Sequence, residues 1–126
     1  MSIPNAINQH ELPVAASTND NNAPAANTNA VITYAAAGAG QVHVLSGVAW
    51  SYLGGTPAGL LKIEDGAGNI VFQIDIGAAG NGQINFIPPK KGSANTALII
   101  TLTAGGAGIT GKVNALGHWT ETSSGV

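Results

Sequence analysis

From Ala30 onward apolar residues recur at every second position, the spacing that places alternate side chains on one face of an extended strand. Ala30, Ile32, Tyr34 and Ala36 share the face of a first strand. After an AGAG turn, Val42, Val44, Val48, Trp50 and Tyr52 line one face of a long strand, interrupted only at Ser46. GGTPAG at 54–59 breaks that strand, and Leu61 and Ile63 face one way in the next. DGAGN at 65–69 supplies the Asp, Gly and Asn that tolerate positive φ in a hairpin loop, and Ile70, Phe72, Ile74 and Ile76 return along the partner. GAAGNG at 77–82 leads into a short strand with Ile84 and Phe86 inward, which Pro88 and Pro89 are expected to end because proline cannot donate to a ladder. Leu98, Ile100 and Leu102 alternate next, and after AGGAG a last strand carries Ile109, Val113, Ala115 and Trp119. Seven or eight strands with glycine-rich turns and no helical period predict an all-β fold, a single antiparallel β-sandwich of jelly-roll or Greek-key type.

Part of this pattern occurs twice. Residues 26–40, ANTNAVITYAAAGAG, match residues 94–108 at nine of fifteen positions, among them Asn27/Asn95, Thr33/Thr101 and Gly40/Gly108. One inserted residue later Trp50 aligns with Trp119. An internal duplication of a strand, turn and strand unit follows, and its equivalent strands are expected to pair as neighbours in one sheet.

Residues 1–29 differ from the rest. They hold Pro4, Pro13 and Pro24, the tract Asn19, Asp20, Asn21, Asn22, and no aromatic side chain, so they bury too little apolar area to offset ordering entropy. They read as an extended N-terminal arm, either lying across a neighbouring subunit or without a role, whose removal should leave the fold intact. The sandwich domain then spans 30–121, and 122–126 form a flexible tail.

Charge changes the picture more than hydrophobicity does. Charged residues make up 8% of the chain, against roughly 25% in ordinary globular proteins, and the net charge is -2. Such a surface has little colloidal repulsion, which favours association with other subunits. Four basic side chains in all form no phosphate-tracking stripe, which excludes nucleic acid as the expected partner. There is no cysteine, so disulfides and thiolate chemistry are excluded. The N-terminal sequence lacks the apolar core of a signal peptide and no stretch approaches 18 apolar residues, so no membrane association is expected.

Candidate chemistry is sparse. Gly106 to Gly111 formally matches GxGxxG, but the glycines open a strand rather than a helix, so a hairpin turn is expected and no dinucleotide cofactor. His10 falls in the arm, while His43 and His118 fall opposite the Val and Trp positions of their strands, exposed or at subunit contacts, without a shared metal. Glu64, Asp65 and Asp75 read as solvated turn residues rather than a Ca²⁺ site or a glycosidase pair. No catalytic, cofactor or metal residue is assigned, and no enzymatic activity is expected. Trp50, Tyr52 and Trp119 are the aromatic contact candidates, as core or intersubunit residues or, in the rival reading of a carbohydrate-binding module, as a platform for sugar rings.

The run ANTNAVITYAAAGAGQVHVLSGVAWSY, then IEDGAGNIVFQIDI, then GSANTALIITLTAGGAGITGKVNALGHW resembles small β-rich structural proteins of tailed bacteriophages, most of all the head decoration, or cement, type. The resemblance covers about the last three quarters of the chain and carries no functional residue over. It implies a homo-oligomer, commonly a trimer, bound to the major capsid protein on the capsid exterior of a virion assembled in the host cytoplasm. A phage tail or fibre module is the alternative within the same particle.

Overall fold

The computed structural model describes residues 18–122, and every regular element in that span is a strand. In chain order these are β1 (Thr18–Asn22), β2 (Ala30–Tyr34), β3 (Gln41–Leu53), β4 (Gly59–Asp65), β5 (Ile70–Ile76), β6 (Gly80–Lys91), β7 (Leu98–Leu102) and β8 (Thr110–Thr122). They form two four-stranded antiparallel sheets, ordered β1-β8-β3-β6 and β2-β7-β4-β5. The pairs β1·β8, β2·β7, β3·β6 and β4·β5 are those of one long hairpin wound on itself, which is the jelly-roll connectivity expected from the strand pattern.

The duplication is visible as a local two-fold relation. The repeated strands pair with one another, β2 with β7 and β3 with β8. The Asn27 N–H donates to the carbonyl of Ile109 at 2.8 Å and, at the equivalent positions, the Asn95 N–H donates to the carbonyl of Gln41 at 2.9 Å. Both asparagines adopt the left-handed conformation that this residue tolerates, with φ of 55° and 51°.

The core lies between the sheets. Leu45, Val48 and Tyr52 of β3 and Val113 and Ala115 of β8 meet Leu61 and Ile63 of β4 and Leu98, Ile100 and Leu102 of β7. Each of the valines, leucines and isoleucines among them stabilises the fold by roughly 1.5–3 kcal/mol through burial. Tyr52 is fully buried, and its hydroxyl donates to the Thr103 carbonyl at 2.5 Å, which satisfies the one polar atom it brings inside. Trp50 packs on the same core with its ring against Gly82 of the neighbouring strand, where a side chain would have to stand. Gly82→Ala is therefore expected to cost about 1–3 kcal/mol by overpacking, measured as a lower denaturation midpoint; an unchanged midpoint would contradict this placement of the indole.

Several boundaries differ from the sequence reading, each for a physical reason. Thr18–Asn22, assigned to the arm, is a strand on the open edge of the first sheet, where the ladder to β8 supplies its bonds and no inward apolar side chain is needed. The rest of the assigned arm, residues 1–17, lies outside the described residues. At the other end β8 runs through Thr122, one residue into the assigned tail. Pro88 and Pro89 do not end β6: they stand in an unpaired excursion over residues 86–89, after which Lys90 and Lys91 pair again with Leu45 and Val44. Ala36 lies beyond the end of β2 and is exposed.

Candidate functional site

The long strands β3 and β8 change the face they turn to the core part way along. Val48 and Tyr52, and opposite them Ala115 and Gly111, follow one parity, whereas Leu45 and His118 are inward on the other. The switch lies at Ser46–Gly47 and Leu116–Gly117, where Gly117 has a φ of 63°. Because both strands switch together, their register is unbroken.

That switch corrects the reading of the histidines. They do lie opposite Val42 and Val44, but at this end of the sandwich the opposite face is the interior. His43 is 4% and His118 8% exposed. The His43 Nε2–H donates to the Ala35 carbonyl at 2.7 Å, which leaves Nδ1 as an acceptor for the Nε2–H of His118 at 2.9 Å. The His118 ring stacks on Tyr34 at a centroid distance of 3.6 Å, and the Tyr34 hydroxyl donates to Asp20 Oδ2 of β1 at 2.6 Å. Burial, reinforced by His43 and opposed by Asp20, lowers the pKa of His118 to about 4. Burial and the Asp20 hydrogen bond push the Tyr34 phenol well above its usual range, so it stays a donor. The cluster joins β1, β2, β3 and β8, and its groups are used on one another. His10 lies outside the described residues.

Two of the three carboxylates hold loops. Glu64 Oε2 accepts the Gly68 N–H at 2.8 Å, and Asp65 accepts the backbone N–H of Ser93 at 2.9 Å and its hydroxyl at 2.6 Å. Asp75 pairs in register with Leu60, four residues along β4 from Glu64, or about 13 Å. Among the described residues no group of three His, Cys, Asp or Glu side chains is placed to hold a metal ion. The GxGxxG stretch forms the turn into β8, with the Ile109 N–H donating to the Gly106 carbonyl at 3.1 Å.

The three aromatic candidates do not form one platform. Tyr52 is 1% exposed and inside. Trp50 is half-buried on the core side of β3. Trp119 lies on the outer face beside Val44, its indole N–H donating to Glu121 Oε2 at 3.0 Å, and Glu121 also pairs with Lys91 at 2.7 Å. The tryptophans occupy equivalent repeat positions yet face opposite ways, because the face switch separates them.

What sequence reasoning missed is the outer surface of the first sheet. Ala49 and Ser51 of β3 face outward, with Asn114 and Lys112 of β8 on one side and Gln83 and Asn81 of β6 on the other. All of these but Lys112 line a shallow depression of about 430 Å³ together with Trp50 and Gly82. Asn21 of β1 extends the row beyond Asn114. Outward alternation in β3, β6 and β8 is legible in the chain, but the order of those strands is not.

No family model matches the chain, and no curated protein matches it. Among solved structures it is similar to the carbohydrate-binding module TmCBM61 in complex with β-1,4-galactotriose, at 17% identity over 84% of this chain and 70% of that one, with a TM-score of 0.39. It is similar to the virus-like particle of the giant freshwater prawn Macrobrachium rosenbergii extra small virus, at 13% identity over 82% and 76%, TM-score 0.40. A third likeness is to Bacillus endospore appendages, which form disulfide-linked pili, at 17% identity over 86% and 89%, TM-score 0.39.

Proposed function

We propose that this chain is a non-enzymatic structural protein of a virion, a head decoration protein of the tailed-bacteriophage type. It associates with copies of itself, as a trimer, and docks on the major capsid protein at the outside of the shell. The observation that carries this reading is a wide sandwich surface with almost no charge and with large apolar side chains left outside: Ile87 is 92% and Leu53 75% exposed, in a chain with four basic and six acidic residues. Such a surface gains by being covered, and a protein repeated many times on a shell draws affinity from many weak contacts rather than one deep pocket.

Co-sedimentation with assembled heads that lack a decoration layer tests the reading. The chain is expected to pellet with heads to a saturating stoichiometry, and retention in the supernatant at every concentration would contradict it. Ile87→Asp is expected to weaken that attachment, or self-association, at least about tenfold without lowering the thermal midpoint, since the side chain stands outside the core and its burial at a contact is worth more than that factor.

A further inference from the structure

The outer depression on the first sheet has the form of a small-ligand site. Its floor is Ala49 and Ser51 on the central strand β3, and its walls are Asn114 on β8 and Asn81 and Gln83 on β6. The walls stand two strand spacings apart, about 9–10 Å, a width that admits a flat ring between them. Among the described residues, the amides of Asn81 and Asn114 make no hydrogen bond within the chain, and Gln83 uses only its NH₂, which donates to Asn85 Oδ1 at 3.2 Å. Three amides, two of them without a hydrogen bond among the described residues and the third with its carbonyl oxygen unused, thus line one open depression of about 430 Å³, within the size range of ligand pockets.

We infer that this amide-walled trough binds a neutral oligosaccharide. An amide offers two donors and an acceptor side by side, and a sugar hydroxyl both gives and takes a hydrogen bond, so the two sets satisfy one another. The methyl of Ala49 gives the floor an apolar point for the C–H face of a sugar ring. An anionic ligand would lose hydration against walls whose one cation is Lys112, at the rim. An apolar ligand would strip water from amides and return nothing to them. The trough is open and has no aromatic ring presented as its base, so a single site binds weakly, with dissociation constants in about the millimolar range. Several copies side by side on a particle would raise the apparent affinity without a new contact. Trp50 lines one side of the site, but Tyr52 and Trp119 take no part in it, and it does not rest on the shell-docking reading.

Titration of the ¹⁵N-labelled chain with tetrasaccharides of glucose, xylose, mannose and galactose, each to about 20 mM, tests it by NMR. At least one sugar is expected to shift the side-chain NH₂ signals of Asn81, Gln83 and Asn114 saturably. Ala49→Leu, which raises the outward-facing floor, and the double variant Asn114→Ala with Gln83→Ala are each expected to weaken that binding at least tenfold while the thermal midpoint stays in place. Absence of a saturable shift with every sugar, shifts that persist in Ala49→Leu, or shifts centred on Trp119 would overturn the assignment.

Discussion

Acidification from pH 6.5 towards 4 is expected to cost the fold about 3 kcal/mol through His118 alone. In the unfolded chain this imidazole takes its proton near pH 6.5; in the sandwich its pKa is lowered to about 4, chiefly by burial and then by His43. Between those values the unfolded state binds more protons, so stability is fully present above about pH 6.5, falls as the pH drops, and loses nothing more to this group below about 4. The geometry gives the same direction. The 2.9 Å contact between His43 Nδ1 and His118 Nε2 has room for one hydrogen, and a pair protonated on both rings places a hydrogen on each side of it. The groups facing the pair are Asp20 on β1 and Tyr34 on β2, and the pair itself joins β3 to β8. His118→Gln keeps a donor towards His43 and removes the titration. Its denaturant midpoint is expected to vary less than that of the natural chain between pH 6.5 and 4, and parallel profiles would show that the buried pair does not set the acid sensitivity.

Deleting residues 1–22 carries the second large effect. The sequence reading makes this segment a dispensable arm, whereas the structure makes Thr18–Asn22 the fourth strand of a sheet. Its loss removes the ladder to β8, the Tyr34–Asp20 bond and the bond from the Gly117 N–H to Asn19 Oδ1 at 2.7 Å. At about 0.5–1.5 kcal/mol net for each hydrogen bond, the truncation is expected to lower stability by roughly 3 kcal/mol or more. It also leaves β8 as an open edge, which promotes aggregation. Thermal unfolding of the truncated chain beside the full one measures both, and an unchanged midpoint would mean that β1 adds nothing to the sandwich.

The alternation in β2, β4 and β7 was legible because those strands place Ile32, Leu61, Ile63, Leu98, Ile100 and Leu102 on one buried face. The duplication foretold two of the strand pairings. β1 was not legible, since TNDNN offers no apolar residue and an edge strand needs none when its ladder is its main bond. The burial of His43 and His118 was hidden by the face switch at Ser46–Gly47 and Leu116–Gly117, which a strict two-residue period cannot express. Tyr52 was placed on the correct face, but only the crossing of the sheets shows that the face is closed over it. The amide walls were unreadable for a simpler reason: Asn114, Ala49 and Gln83 are far apart in sequence and become neighbours only through the order β8-β3-β6.

Light scattering on the purified chain after size exclusion, over a range of loading concentrations at neutral pH, bears most directly on whether the sparsely charged sandwich is made to be covered by its own kind. The expected mass is three copies of the 12.5 kDa chain, stable to dilution. A species of 12.5 kDa at every concentration would contradict it.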